Sequence, residues 1–257
     1  MKWRNFDIQI VNGLLLISAA AVLIWISFIV HRGDLSTAAL IVSGVGCFLL
    51  GIVMFAMSGG ERISPRLVSL LPVQASINIC RITGDLGLKG TAHMIPSSGV
   101  GTTPMQFNPV GAFSHPPDNR DTSFSLSAPW GMSIIPSGYP LLKELQQKFE
   151  WSPVQDIGHL STGLKEVCED IYQFSSLATA TFNESLLTIV LKDFRYIDCC
   201  KEINVSSAPV CCRINPCPVC SLFACMVAES MRKPCTLELV DQDKGDLIVA
   251  IRILDGP

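Results

Sequence analysis

An α+β protein tied to a membrane is the fold class that three observations predict. Two uncharged apolar runs lie back to back near the amino terminus, at residues 10–30 and 38–57. A strand-patterned stretch rich in Pro and Gly fills residues 60–140. From residue 141 to 257 a Cys-rich helix–strand–strand pattern occurs twice, the copies sixty residues apart. The expected organisation is therefore a transmembrane hairpin (1–59), a β-rich segment (60–140) and a Cys-rich α+β domain (141–257).

The first run, Ile10–Val30, is interrupted only by Asn12, Ser18 and Ser27. The second, Ala38–Met57, holds no ionisable group except the thiol of Cys47. Each matches the ~20 residues that carry a helix across ~30 Å of hydrocarbon. A helix is suited to that medium because it satisfies its own backbone. The apolar core of a signal peptide is ~7–15 residues long. The first run continues nine residues past Ala21 and a second run follows, so a hairpin anchor is expected. Lys2, Arg4, Arg62 and Arg66 flank its outer ends, whereas the turn holds Arg32 offset by Asp34. The positive-inside rule then predicts a two-span cell-membrane protein with both termini in the cytoplasm. Ser43, Gly44, Gly46, Cys47 and Gly51 give the second run a small-residue face. Packing of that face on Gly13 and Ala19–Ala21 of the first run is expected ahead of a dimer seam.

Outside the hairpin the chain carries 16 basic against 20 acidic residues, once Lys2, Arg4, Arg32, Asp7 and Asp34 are set aside. Nucleic-acid binding needs clustered cations to displace counterions from phosphates, so that class is excluded. Eleven cysteines is an odd number, and a reducing compartment favours free thiols or metal ligands over a disulfide framework.

The segment Glu61–Pro72 reads as a short amphipathic connector. Ile77, Ile79 and Ile82 suggest a strand, Leu88–Ile95 a second, and Met105 with Phe107 a third. Eight of the sixteen prolines fall between Pro96 and Pro140, which predicts long loops with a mobile excursion at Gly111–Asp121 and a short strand at Thr122–Ser127. Helical spacing begins at Leu141 and Leu142. It resumes after Ser161, a candidate N-cap, with the stripe Leu164, Val167, Cys168, Ile171 and Phe174. Strands at Leu177–Phe182 and Leu186–Leu191 follow. The second copy runs from a helix at Cys220–Met231 to strands at Cys235–Val240 and Asp246–Ile253. Without a gap, Val167 aligns with Val227, Glu169 with Glu229, Leu177 with Leu237 and Leu187 with Leu247. A duplicated α–β–β unit building one antiparallel sheet with helices on one face is the expectation.

The second copy carries Cys217-Pro218-Val219-Cys220, Lys233-Pro234 and Lys244-Gly245-Asp246 in order. In this the C-terminal part resembles the four-vinyl-reductase domain family, which implies a small-molecule-binding module. Family members with a structural zinc place a Glu and two Cys across the final hairpin. Here those positions hold Glu238, Asp241 and Val249, so the resemblance implies no zinc for this chain. The whole chain also resembles uncharacterised archaeal two-span membrane proteins, a likeness that implies no activity.

The cysteine-rich stretch is the main candidate for chemistry. Cys212-x4-Cys217-x2-Cys220 has plant-type [2Fe–2S] spacing, with Cys225, Cys211, Cys199 or Cys200 as the fourth thiolate. Thiolates are soft, anionic ligands suited to Zn or to an Fe–S cluster. The competing reading is that Pro218 simply opens a helix and that the thiols pack as small hydrophobes. A dithiol role for Cys217 and Cys220 lacks a thioredoxin βαβ context. Four scattered histidines and the absence of G-x-S-x-G, H-E-x-x-H and phosphate-loop motifs argue against catalysis. The expected function is a membrane-anchored, cytoplasm-facing, non-catalytic sensor or scaffold. It would bind a small apolar ligand near Leu164, Phe223 and Met226, or a partner protein, or a second copy of itself. No cofactor is expected. The alternative is a metal or dithiol redox subunit built on Cys212, Cys217, Cys220 and Cys225.

Overall fold

A computed structural model describes residues 8–30, 35–58, 65–88, 90–99, 102–117, 122–125, 128–206 and 211–254. The chain divides into two compact units, residues 1–63 and 64–257.

The first unit is a pair of helices, α1 (Ile8–Val30) and α2 (Leu35–Ser58). Gly13, Ala20 and Ser27 of α1 are buried, as are Gly44 and Gly51 of α2. A Cβ on Gly51 would lie 2.7 Å from Ile17 Cγ1 and 3.1 Å from the Gly13 carbonyl, and one on Gly44 would lie 3.0 Å from Ile24 Cγ1. The small residues therefore form an internal seam. Its seven-residue spacing, at Gly13, Ala20 and Ser27 and at Gly44 and Gly51, places the small residues on one stripe of each helix. The seam leaves Leu15, Trp25, Phe28 and Val42 exposed. Among the described residues, four stretches are long and apolar enough to cross a membrane: Val11–Ile29, Thr37–Ala56, Arg66–Asp85 and Cys211–Met231. The last two are each split between two helices, and Cys211–Met231 is 83% buried within the protein.

The second unit opens with α3 (Pro65–Leu70) and α4 (Val73–Asp85). The alternation of Ile77 and Ile79 had suggested a strand there. The residues that face the protein instead are Val73, Ser76, Ile77, Cys80 and Thr83, at helical spacing, and Ile82 is half exposed. Of Leu88–Ile95 only β1 (His93–Ile95) is strand. The sheet continues with β2 (Met105–Pro109), β3 (Phe124–Ser125) and β4 (Gly131–Ile134). The last lies inside the stretch expected to be loop. Gly131 is needed because a Cβ there would meet the Asn108 carbonyl at 2.5 Å.

Next come α5 (Tyr139–Lys148) and α6 (Ile157–Glu166). Asp156, not Ser161, caps α6: its carboxylate accepts from the His159 amide at 2.8 Å. A π-helical turn, Val167–Ile171, extends α6 and is followed by β5 (Leu177–Asn183) and β6 (Leu186–Lys192). The chain ends in α7 (Ile197–Ser206), α8 (Cys211–Ile214), α9 (Pro218–Met231), β7 (Cys235–Asp243) and β8 (Asp246–Ile253). Pro218 occupies the first turn of α9, where its missing N–H costs nothing.

The eight strands among the described residues form one antiparallel sheet in the order β3-β4-β2-β1-β7-β8-β6-β5. Residues 60–140 and 141–257 each contribute four strands to it, so residue 140 is not a structural boundary. Leu187, Ile189 and Leu191 of β6 pair with Ile251, Val249 and Leu247 of β8, and all six are buried in the main core with α6 and α9. A smaller core of Ile95, Met105 and Phe107 lies at the β1–β2 end. Phe113, in the stretch expected to be mobile, packs on it and stacks on His93 at 4.2 Å. Residues 118–121 of that stretch lie outside the described residues.

The two hairpins share one register. Ala180↔Ile189, Thr181↔Thr188 and Phe182↔Leu187 recur sixty residues on as Val240↔Val249, Asp241↔Ile248 and Gln242↔Leu247. A bulge between Leu237 and Leu239 separates the strand starts: Leu237 is buried whereas its counterpart Leu177 is 47% exposed. Glu238, at the bulge, pairs with Arg252, whose guanidinium holds the carboxyl below its usual range. A depressed folded pKa contributes stability above the unfolded value of about 4.3 and loses it as pH falls through the folded one. Arg252→Gln should therefore destabilise slightly at about pH 7, and the loss should shrink as pH falls into the acid range, read by urea unfolding across that range.

Candidate functional site

The second unit carries a half-open cavity of about 460 Å3. Its walls come from five places in the chain. Val68 and Ser69 of α3, Leu141 and Glu144 of α5, and Val219 of α9 line three sides. Tyr172 and Phe174, after the π-helical turn, and Phe194 and Tyr196, after β6, supply aromatic surface. These rings lean on one another: Tyr172 stacks on Phe174 at 5.2 Å, Phe174 meets Tyr196 edge-on at 5.8 Å, and Tyr196 meets Phe194 at 6.1 Å. Such pairs hold ring positions beyond what area burial alone provides. The Tyr172 hydroxyl donates to the Leu141 carbonyl at 2.8 Å. Burial and the neighbouring Glu144 carboxylate push its pKa up to about 12, so it stays a neutral donor.

The α5 side is held against α9 by a main-chain approach. Ser137 Oγ donates to the Pro216 carbonyl at 2.7 Å, and the Gly138 amide donates to Ser221 Oγ at 3.0 Å. At Gly138 no side chain fits: a Cβ would sit 2.2 Å from the Leu222 nitrogen.

Cys199 and Cys217 also line the cavity. Cys217 is the N-cap of α9. Its sulfur accepts hydrogen bonds from the thiols of Cys199 and Cys200 on α7 and of Cys220 in the first turn of α9. These donors hold Cys217 well below the ordinary thiol range, and they themselves are pushed up by donating to Cys217 and by burial. Cys212 of α8, also buried and near the Cys217 charge, rises to about 12. Helices α7, α8 and α9 thus gather four thiols around the Cys217 sulfur.

The expected ligand residues lie elsewhere in the same core. Leu164, Phe223 and Met226 are at most 1% exposed, and none of them lines the cavity. Phe223 stands one layer behind the wall, 6.4 Å from the Phe174 ring. Of the expected metal set, Cys212, Cys217 and Cys220 converge. Cys225 sits apart with Ser221, Glu229 and Cys235, its pKa raised to about 12 by burial. As the side chains stand, no group of three or more His, Cys, Asp or Glu among the described residues is arranged to hold a metal ion. Glu238 is engaged in an ion pair with Arg252, and Val249 lies in the core.

Helix α7 was missed as an element, although Cys199 and Cys200 on it stood among the candidates for a fourth thiolate. The charged Asp193-Phe194-Arg195 cluster masked the helical spacing of Ile197, Cys200 and Ile203 that follows it. A further difference concerns oxidation state. Cys80 and Cys211 form a disulfide with Cα atoms 5.8 Å apart, where free thiols had been expected, and the other nine cysteines are free. Comparison with protein-family models, with characterised proteins and with solved structures returns no match.

Proposed function

We propose that this protein is a membrane-anchored binding module that takes a small apolar ligand into the aromatic cavity of its second unit. The cavity itself carries the reading: about 460 Å3, walled by aromatic and aliphatic side chains, with few polar groups. Those are the usual dimensions and lining of a small-molecule site. The anchor is α1 and α2 as a two-span hairpin, with both termini cytoplasmic by the flanking-cation count. Supporting the anchor are the exposed apolar faces of the two helices. A bilayer source for the ligand is supported by α3, which follows the hairpin in sequence. It contributes Val68 to the cavity while Leu67 and Leu71 remain 57% and 73% exposed. An amphipathic segment of that kind lies in the headgroup region and would admit a solute from the lipid side.

The α–β–β units are a duplication. The sixty-residue offset found in sequence is the offset that relates the two hairpin registers. The pairs between the copies obey the same relation: Leu187↔Ile251 and Leu191↔Leu247 exchange under a two-fold axis through Ile189↔Val249. Two copies facing each other this way bury the apolar sheet face that either would expose alone.

The test is saturable binding of an uncharged fluorescent probe, N-phenyl-1-naphthylamine, to the full chain in lipid nanodiscs. Leu141→Trp, which fills the cavity from α5, provides the lipid-partition control. A saturable component present in wild type and reduced at least about tenfold in affinity in Leu141→Trp is expected, equivalent to about 1.4 kcal/mol. Equal signals from the two would sink the reading.

A further inference from the structure

Of the five clustered thiols, only Cys199 and Cys217 line the cavity; Cys200, Cys212 and Cys220 do not. Cys199 and Cys217 belong to one cavity lining, so a cavity-facing sulfur has a cavity-facing partner, and the Cys199 thiol is the first of the groups that favour an anionic Cys217. Cys217 also caps α9, where converging backbone N–H groups favour an anionic sulfur. Reactive cysteines combine a polarising environment with access. Cys199 and Cys217 are only 4% and 3% exposed but line the cavity, whereas Cys168, Cys225 and Cys235 are 0% exposed and do not line it.

We propose that the cavity floor is a thiol–disulfide exchange site for small apolar disulfides, with Cys217 the attacking sulfur and Cys199 the resolving one. The Cys217 thiolate attacks one sulfur of R–S–S–R, forming Cys217–S–S–R and releasing R–S⁻, which takes up the proton that Cys217 had given up. The Cys199 sulfur then attacks the Cys217 sulfur of that mixed disulfide. It expels the second R–S⁻, which leaves with the Cys199 proton, and a Cys199–Cys217 disulfide remains. Two protein thiols are oxidised by two electrons, and one external disulfide becomes two thiols. The inference rests on the cavity being open to an apolar solute and names the class of that solute.

The experiment uses the full chain in nanodiscs with Cys47→Ser, which removes the one free thiol in α2. The probe is 4,4′-dithiodipyridine, an uncharged aromatic disulfide. In a fast phase two equivalents of thiopyridone are expected per chain, with no adduct retained and a Cys199–Cys217 disulfide in the peptide map. Cys199→Ser should release one equivalent and keep the pyridyl group on Cys217. Any one of three results overturns the proposal. The fast phase maps to a cysteine other than Cys217; the adduct on Cys217 persists while Cys199 is intact; or the purified chain holds stoichiometric Zn or Fe that must be removed before a thiol reacts. The wild-type peptide map decides by itself should Cys199→Ser misfold. Naphthylamine binding in the same sample separates the two readings. Bound probe without exchange defeats this inference alone, and neither signal defeats both.

Discussion

Gly138→Ala is expected to unfold the second unit or to lower its melting temperature by on the order of 10 °C. The cause is steric. The added Cβ would lie 2.2 Å from the Leu222 nitrogen, 2.6 Å from its Cα and 2.6 Å from the Ser221 carbonyl carbon. All three are main-chain atoms of α9, whose residues from Val219 to Ser230 are buried without exception. A flexible side chain yields at little cost; a buried helix backbone does not. Overpacking costs ~1–3 kcal/mol and occasionally more, and this contact belongs at the upper end. At ~2–4 °C per kcal/mol for a domain of this size, the shift follows. Conformation plays no part, since Gly138 has φ −84°, open to any residue. Moving α9 also displaces Cys217 and Val219 from the cavity, so naphthylamine binding should fall with stability. Gly163→Ala is the control. Its Cβ would meet only Trp151 Nε1, at 3.7 Å, and alanine is the better helix former. Thermal unfolding of both variants in nanodiscs decides the matter: a Gly138→Ala chain that melts with wild type would show that α5 and α9 do not approach as described.

What the residues alone disclosed was whatever has a strong period. The two apolar runs became α1 and α2, and the alternation Leu247, Val249, Ile251, Ile253 became the inner face of β8. The offset between the two halves was visible because turns and buried positions recur together. Short elements failed where a second signal competed. In α4 the isoleucines fall at 77, 79 and 82, and two of the three fit a strand better than a helix. Burial was decided instead by Ser76, Cys80 and Thr83, which carry little hydropathy signal. In β4 proline density masked the strand, because Pro129 and Pro136 fall just outside it. The thiols were singled out, but their grouping was not. Cys199 and Cys200 are far from Cys217 in sequence, and only the turn after β6 and the start of α9 bring them together. The cavity was invisible for the same reason: its aromatic wall is gathered from residues 172–196, none of which forms a local motif.

Eliminating the Cys80–Cys211 bond is the second change with a large expected consequence. The bond joins α4 to α8 across a sequence separation of 131. A closed loop of that length removes about 5 kcal/mol of chain entropy from the unfolded state, and measured losses run ~2–5 kcal/mol. Cys80→Ser combined with Cys211→Ser leaves no lone thiol to mispair, and its melting temperature should fall by on the order of 10 °C. The bond itself is read by intact mass after unfolding in N-ethylmaleimide. With two of eleven cysteines paired, nine adducts are expected without reductant and eleven with it. Eleven in both would show that the pair is reduced. That number also bears on sidedness. On the orientation proposed from the flanking cations, the second unit would face a reducing compartment, where disulfides rarely persist. Cys211 is 3% exposed and Cys80 is half-buried, so burial shields one sulfur of the bond from a soluble reductant. Nine adducts from protein made in the cytoplasm would mean that burial protects the bond. Nine adducts only when the second unit is exported would instead reverse the orientation of the hairpin.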